Sequence, residues 1–207
     1  MFAENYCRDM PKPIKFTKDI IIRTCLNIVE SQGSEALTAR SICKRMGCSV
    51  APLFRTFKNM DELIAGVRDA AEDIYRIYME DTVYYTPAFK EFGIRMIRFS
   101  KERPQLFRFL FLEINGRNDL ADSIARECLK QTERDFSLTV DEANHVYDLM
   151  WPTLLGYSQL CCTDSELYTE EHISRLLSLH FAAIIRLLKS KEEVIIKEPV
   201  LNASELK

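Results

Sequence analysis

The sequence has few of the residues that interrupt regular structure. Its 207 residues include only six Gly and seven Pro, which excludes collagen-like and low-complexity classes. Apolar runs such as residues 110–112 are a few residues long, whereas a membrane-spanning helix needs roughly 20 mainly apolar residues. The stretch from Met1 to Asn5 has an early acidic residue and no apolar segment typical of a secretory signal. We therefore expect a cytoplasmic protein without membrane association.

Cysteine is present, but not in the spacing of a disulfide framework. The seven Cys are an odd number, and no two of them form a Cys-x-x-Cys pair. We interpret them as small buried apolar residues in a reducing compartment, with a thiol sensor at Cys161-Cys162 as the alternative. The three His residues are dispersed and lack metal-ligand spacing, so we predict neither a metal site nor another cofactor.

Sequence signatures of catalysis are missing as well. The sequence has no GxSxG, no HExxH, no phosphate-binding glycine loop and no GxGxxG after a strand. Adjacent acidic residues such as Glu170-Glu171 follow the pattern of solvated helix faces. We predict no catalytic residues and a protein that is not an enzyme.

The charge that is present is unevenly distributed along the chain. Residues 1–59 contain ten Lys and Arg against five Asp and Glu, a net charge of +5. The remaining residues contain 18 basic and 26 acidic side chains, a net charge of −8. A basic head suits a polyanionic partner and an acidic body does not, so the N-terminal part is the candidate for binding nucleic acid.

Helical periodicity dominates the sequence, and no segment alternates like a strand, so we predict an all-α fold. Five residues are predicted to begin or end the first helices: Thr17, Gly33, Thr38, Gly47 and Ser49. Longer helices are predicted over residues 88–102, 119–137, 140–162 and 169–190, and the second of these is predicted to bury Leu120, Ile124, Cys128 and Leu129.

The segment Gly47-Cys48-Ser49 separates two short predicted helices with the spacing of a helix-turn-helix. The tight turn needs glycine at the end of the first helix, and the second helix must present its N-terminal residues to base edges in the major groove. Free N–H groups at the start of that helix suit a phosphate. Because basic residues cluster around this unit, the pattern predicts binding of double-stranded DNA.

The stretch from Phe16 to Val67 resembles the N-terminal domain of the tetracycline-repressor (TetR) family of bacterial regulators. The resemblance lies in residues 37–63, LTARSICKRMGCSVAPLFRTFKNMDEL. This segment has a Thr cap, then Gly, a small apolar residue and Ser before the second helix, and a Phe further on. The resemblance covers about a quarter of the chain, and the rest is similar to the family only in its helical layout. The resemblance implies a DNA-binding head on a helical body that binds an effector and dimerises.

The resemblance implies a role in DNA binding for each matched position. The Thr and Ser at the two helix N-termini, with Thr56 and Lys58, would lie near phosphates, and Arg40 would reach a base edge. The apolar residues 50–52 would face thymine methyl groups, which leaves specific hydrogen bonds to Arg40 and Arg55. The implied DNA-binding residues are Thr38, Arg40, Ser49, Val50, Ala51, Pro52, Phe54, Arg55, Thr56 and Lys58.

Two positions depart from the family pattern. Phe54 stands where the family usually has Tyr, so a phosphate-binding hydroxyl is missing. Met60 stands where the family usually has Lys at the start of the fourth helix, which leaves only a backbone N–H. Both departures lower the expected affinity for DNA, and neither alters the predicted fold.

The resemblance also implies how the protein would leave DNA. In the family, a ligand in the body changes the separation of two heads that read half-sites ~34–36 Å apart, or multiples of that spacing, in a palindromic operator. We predict a homodimer formed through residues 140–162 and 169–190 as a four-helix interface, because the last helix is apolar over a wider face than one partner helix needs. The alternative is a last helix buried within one subunit.

The effector is predicted to be a small, largely apolar molecule bound by apolar and aromatic residues of the body. Each candidate is also explained as an ordinary core residue. Pro152, inside a predicted helix, removes one backbone hydrogen bond and frees a carbonyl for a ligand or a water, or marks only a kink. The candidate effector contacts are Phe92, Met96, Phe99, Phe107, Phe111, Tyr147, Met150, Trp151 and Cys161.

The sequence therefore predicts three parts with one combined function. Residues 1–60 are an N-terminal arm and helix-turn-helix DNA-binding domain, residues 61–190 a helical effector-binding and dimerisation domain, and residues 191–207 a C-terminal tail. Together they form a ligand-responsive, dimeric transcriptional regulator, a repressor released from its operator by the effector. The alternatives are a helix-turn-helix regulator controlled by a protein partner, and an all-helical scaffold without a role on DNA.

Overall fold

The computed structural model describes residues 16–80, 85–113, 119–163 and 168–190. Across these ranges the regular secondary structure is helical and contains no strand, which confirms the predicted all-α class. The helices are α1 (Lys18–Gln32), α2 (Ala39–Met46), α3 (Ala51–Thr56), α4 (Met60–Met79), α5 (Ala88–Glu102), α6 (Pro104–Phe111), α7 (Asp119–Phe136), α8 (Val140–Thr163) and α9 (Glu170–Ser190), with a 3-10 turn over Ser34–Ala36. The predicted arm and the tail of residues 191–207 lie outside the described residues.

The described residues form two compact units. The first unit is made of residues within Met1–Thr82 and Arg98–Ser123, and the second of residues within Val83–Ile97 and Ile124–Lys207. Helices α5 and α7 each contribute residues to both units. The predicted boundary at residue 60 remains a functional assignment, since the first compact unit continues through α4 and also includes α6.

The first unit is built around α1, whose ends follow from local sequence. Thr17 caps its N-terminus by accepting a hydrogen bond from the N–H of Ile20, and Gly33 ends it with a positive φ of 84°. Both predictions are confirmed. The buried face of α1 packs against α2, α4 and α6, which makes α1 the centre of the first unit.

Helix α4 buries one long face in the first unit, and its Arg68 side chain forms hydrogen bonds with α6. Its buried residues recur at helical spacing and end at Tyr75, whose ring packs edge-on against Phe99 and Phe111. The Arg68 guanidinium donates to the carbonyl oxygens of Phe109, at 2.8 Å, and Leu110, at 3.3 Å. Because carbonyls in the last turn of a helix lack intrahelical donors, Arg68 satisfies the C-terminal end of α6.

The second unit packs α8 against residues 88–97 of α5. The aromatic rings of Phe89 and Phe92 lie 6.5 Å and 6.2 Å from those of Tyr147 and Trp151, respectively. At the next residue of α5, Gly93, a Cβ would lie 2.6 Å from a methyl carbon of Leu154. Glycine therefore permits the two helices to approach closely at this point.

The buried face of α7 differs from the predicted one. Its buried positions include Ala121 and Ala125, together with the predicted Leu129 and the polar Thr132. The predicted residues Leu120, Ile124 and Cys128 are only half-buried. Small alanines allow neighbouring elements to come close to the helix axis, which moves the larger apolar side chains to the edges of the contact.

Candidate functional site

The helix-turn-helix begins with a doubly hydrogen-bonded cap at Thr38. Its hydroxyl accepts from the N–H of Ser41 at 3.2 Å, and the Ser41 hydroxyl accepts from the N–H of Thr38 at 3.1 Å. Two N–H groups that helix geometry leaves unpaired are thereby satisfied, as in a capping box. The predicted cap at Thr38 is confirmed, and Ser41, which the sequence analysis did not single out, completes it.

The turn between α2 and α3 depends on Gly47. This residue has φ 65° and ψ 34°, a left-handed conformation that side chains other than glycine rarely adopt. The N–H groups of Gly47 and Cys48 both donate to the carbonyl of Cys43, which closes the end of α2. The predicted helix end at Gly47 is confirmed.

The N-cap of α3 lies one residue later than the predicted cap at Ser49. Val50 is the N-cap residue, with helical dihedral angles and no capping side chain, and the Ser49 side chain is exposed. The prediction at Ser49 is wrong because a cap there would accept from the backbone N–H two or three residues on, and the third residue on is Pro52, which has no N–H. Pro52 instead lies in the first turn of α3, where proline is tolerated.

Two buried side chains hold α3 on the first unit and turn its other face outward. Leu53 and Phe57 are each 1% exposed, and the Lys18 ammonium lies 5.7 Å from the centre of the Phe57 ring. On the opposite face, Val50 is 45% exposed and Phe54 is 42% exposed. Ala51 and Arg55 are exposed on the same helix, while Pro52 and Thr56 are half-buried.

Several polar groups predicted to contact phosphate are already hydrogen-bonded within the first unit. The Thr38 hydroxyl belongs to the cap of α2, and the Thr56 hydroxyl donates to the carbonyl of Pro52 at 3.1 Å. The N–H of Lys58 donates to the Glu62 carboxylate at 2.6 Å, while the Lys58 side chain is exposed. A phosphate would meet the Lys58 ammonium directly, but contact with either threonine hydroxyl requires sharing an existing bond.

The surface formed by α2 and α3 is basic and contains no acidic residue. Between residues 36 and 60 the chain has five Lys and Arg and no Asp or Glu. We call this the basic face; its cations are all exposed and comprise Arg40, Lys44, Arg45, Arg55 and Lys58. The sequence analysis did not select Lys44 and Arg45, although both lie in the last turn of α2 and were visible in the charge count.

The second unit contains a mainly apolar cavity of about 380 Å³. Its walls come from the start of α5, the end of α7, the middle of α8 and the second half of α9. Two cationic side chains, Lys90 and Arg186, are among the lining residues, and none of the lining residues is acidic. The lining residues are Thr86, Pro87, Phe89, Lys90, Phe136, Met150, Leu154, Leu177, Ser178, Phe181, Ala182, Ile185 and Arg186.

The nine predicted effector contacts are divided between the two units. Phe99, Phe107 and Phe111 belong to the aromatic core of the first unit. The other six belong to the second unit, and of these Met150 lines the cavity. The remaining five do not line it and are buried or half-buried on α5 and α8: Phe92, Met96, Tyr147, Trp151 and Cys161.

Helices α8 and α9 each present exposed leucines. Leu149 and Leu160 on α8 are 53% and 41% exposed, and Leu179 and Leu187 on α9 are 57% and 41% exposed. The buried residues of α9 are Ile173, Leu177 and Phe181, spaced four apart. Pro152 lies within α8, as predicted.

The ranges that the structure describes contain neither a membrane-spanning helix nor a metal-binding cluster. Within these ranges, none of the helices is both apolar enough and long enough to span a bilayer. No group of three or more His, Cys, Asp or Glu side chains there is placed to hold a metal ion.

Comparison with known proteins rests on fold. No protein-family model matches the chain, and no curated protein matches it. A transcriptional regulator from Rhodococcus sp. Rha1 aligns with a TM-score of 0.57 and 15% sequence identity, over 82% of this chain and 96% of its own. The TetR family protein ActR of Streptomyces coelicolor, solved in complex with (S)-DNPA, aligns with a TM-score of 0.56 and 16% identity, over 83% of this chain and 98% of its own. The chain therefore has the fold of TetR-family transcriptional regulators, as the resemblance of its N-terminal residues predicted.

Proposed function

We propose that this chain is a dimeric, DNA-binding transcriptional regulator, and that it is a repressor released from its operator by a small effector. The observation that carries the proposal is the basic face. Its five cations are exposed, and the chain has no acidic residue between residues 36 and 60. Within this segment, the buried side chains of Leu53 and Phe57 hold the opposite face of α3 toward solvent. A polyanion with a groove wide enough for a helix is the partner that this surface fits best.

The proposed DNA contacts follow from where each side chain lies. Arg40, in the first turn of α2, and Arg55, in the last turn of α3, are exposed and are the candidates for hydrogen bonds to base edges. Val50, Ala51 and Phe54 supply apolar contacts, such as those with thymine methyl groups. Lys58 and the exposed Ser49 complete the phosphate contacts, together with the Thr38 and Thr56 hydroxyls, which would share their existing hydrogen bonds. Pro52 is half-buried in the first turn of α3, next to the apolar residues proposed to face bases.

A second copy of the chain is the partner proposed for α8 and α9. Their exposed leucines are apolar side chains that α8 and α9 of a second copy would cover in a four-helix interface. Two heads held in this way read a palindromic operator, because each head then meets the same half-site sequence.

The cavity of the second unit is proposed as the effector site. Its volume and mainly apolar walls are those of a small-molecule pocket. ActR, which shares the fold, was solved with a small molecule bound. Both observations favour a small effector over control by a protein partner. The proposal keeps Met150 from the predicted contacts and adds Phe89, Leu177 and Phe181.

Substitution of Arg40 by Ala tests the DNA-binding proposal. Selection from a random library of duplexes supplies the operator, and affinity is then measured on that operator and on each single-base variant of it. We expect Arg40→Ala to lose ~1–3 kcal/mol of binding free energy and to relax specificity at one base position. The matched control is Arg134→Ala, at an exposed arginine of α7, which should leave the affinity and the specificity unchanged.

Three outcomes would contradict parts of the proposal. An equal loss on every duplex would assign Arg40 to a phosphate rather than a base. Binding that does not weaken as salt rises would contradict a contact through phosphate charges. Failure of the folded protein to bind any duplex at low salt would leave the all-helical scaffold without a role on DNA as the remaining explanation.

A further inference from the structure

The two cations of the apolar cavity are the feature that the proposed function does not explain. An effector that is apolar throughout would need only the walls formed by Phe89, Leu177 and Phe181. Lys90 and Arg186 line the same space, and holding a half-buried cation such as Lys90 beside apolar walls has a cost in desolvation. We infer that the ligand of this cavity is an amphipathic anion, with an apolar body against the walls and one acidic group held between the Lys90 ammonium and the Arg186 guanidinium. This inference rests on the proposed function only in taking the cavity to be the effector site.

The surroundings of Lys90 favour an anion. Lys90 is half-buried, and its ammonium lies 5.2 Å from the centre of the Tyr85 ring. The Tyr85 hydroxyl donates to the Glu170 carboxylate at 2.9 Å, so the acidic group bound to this tyrosine already has a hydrogen-bond donor. The structure shows no ion pair for Lys90 among the described residues. An acidic group in the cavity would give this cation the counterion that the described protein groups do not provide.

The start of α5 adds to the positive potential at the same place. Thr86, Pro87, Phe89 and Lys90 all line the cavity, and α5 begins at Ala88, so the N-terminus of a 15-residue helix lies at this wall. The positive end of the helix dipole favours negative charge. The dipole acts in the same direction as Lys90 and supports the sign of the ligand charge.

Arg186 completes the arrangement from α9. It is exposed, and it follows Leu177, Phe181 and Ile185 along α9, so it is the last residue that this helix contributes to the wall. A guanidinium binds a carboxylate, sulfate or phosphate group through paired N–H donors and remains charged at any working pH. The cavity thus offers an apolar interior with cations among its lining residues, which matches a molecule with an apolar tail and an acidic head.

Three probes of equal length and different charge distinguish this inference from simple apolar binding: octanoate, octanamide and octylamine. Trp151 is the single tryptophan of the chain, it stacks on Phe92 and Tyr147, and its neighbour Met150 lines the cavity. Its fluorescence therefore reports occupation of the site, and calorimetry gives the dissociation constants. We expect octanoate to bind about tenfold more tightly than octanamide, since a charge-assisted hydrogen bond contributes on that scale, and octylamine to bind most weakly.

The variants assign the preference to the two cations. Lys90→Met with Arg186→Met keeps the apolar bulk of both side chains and should bring octanoate and octanamide to within about twofold of each other. The single variant Arg186→Met changes only an exposed side chain, and it should reduce the preference if the double variant does not fold. Arg175→Met is the matched control on the same helix, three turns from Arg186 and outside the cavity, and it should retain the full preference.

Each result separates this inference from the proposed function. Equal affinities for octanoate and octanamide, no binding of either probe, or a preference that survives in the double variant would overturn the anionic ligand. The binding of unliganded protein to its operator does not depend on any of these outcomes. If octanoate binds selectively but leaves the protein on DNA, the anion site stands and the role of this cavity in release is contradicted.

Discussion

In the first unit the candidate functional side chains stand on the outside of a packed scaffold, whereas in the second unit they line a space within it. The basic face consists of residues 38–58, which are neighbours in sequence and are positioned by caps and two buried anchors. The cavity draws residues from four helices separated by up to a hundred positions. A surface formed by one short segment can be read from local sequence, while a cavity requires knowledge of which helices meet.

The anchors of the basic face should have the largest effect when removed. We expect Phe57→Ala to lower the free energy of unfolding by ~3–5 kcal/mol, because a fully buried ring is replaced by a void, and to abolish DNA binding. The comparison variant is Phe136→Ala in the second unit, where the ring is 37% exposed and packs edge-on against Phe181. Urea unfolding at one protein concentration gives the free energy of unfolding of both variants. An equal loss of stability in the two would contradict the contrast between a filled core and a cavity wall.

Removing a helix cap should have an intermediate effect. Thr38→Ala deletes the hydroxyl that accepts from Ser41 and should lower the free energy of unfolding by ~1 kcal/mol. Thr139→Ala is its counterpart in the second unit, since the Thr139 hydroxyl accepts from the N–H of Glu142 at 3.2 Å. We expect similar losses of stability in urea, but weaker operator binding only for Thr38→Ala. A loss of DNA affinity in the Thr139 variant at matched dimer concentration would argue against a DNA site confined to the first unit.

The smallest expected effect concerns the cap of α8 and its dependence on pH. The N–H of Thr139 donates to the Glu142 carboxylate, and this bond, with the nearby Lys189 ammonium, lowers the pKa of Glu142 below its usual value. A lowered pKa in the folded state means that the stabilisation is complete above the ordinary pKa and is lost as pH falls through the folded one. The melting temperature of Glu142→Gln should therefore lie below that of the unchanged protein at neutral pH and converge with it in acid.

A matched variant isolates this effect from the general response to acid. Asp148→Asn removes an exposed carboxylate from the middle of the same helix. It should leave the melting temperature close to that of the unchanged protein at both pH values. If the melting temperature of Glu142→Gln stays equally far below that of the unchanged protein in acid, the carboxylate charge is not the cause of the stabilisation.

The sequence predicted local structure correctly where a residue type strongly favours one backbone role, such as glycine at positive φ or threonine at a helix N-cap. Gly33 and Gly47 ended their helices because the backbone there has positive φ, and Thr17 and Thr38 capped theirs because a hydroxyl reaches the free N–H groups. The prediction was wrong at Ser49 because the third residue on is Pro52, which has no N–H for a serine cap to accept from.

Prediction was weaker wherever side chains from distant segments must share a space. Phe107 and Met150 are alike in apolar character, yet one fills the core of the first unit and the other lines the cavity of the second. Periodicity identifies which face of a helix is apolar, but it does not identify the partner of that face. The same limit explains why α7 buried its alanines instead of the larger residues beside them.

The amino-acid order alone was enough to establish the helices, the tight turn at Gly47 and the concentration of positive charge around it, because caps, glycine conformation and charge act over a few neighbouring residues. Packing in three dimensions decided that Arg68 joins α4 to α6 and that Lys90 and Arg186 line one apolar cavity. These outcomes depend on contacts between residues tens of positions apart, and the free energy of such contacts is set by the shape of the whole unit rather than by any local pattern.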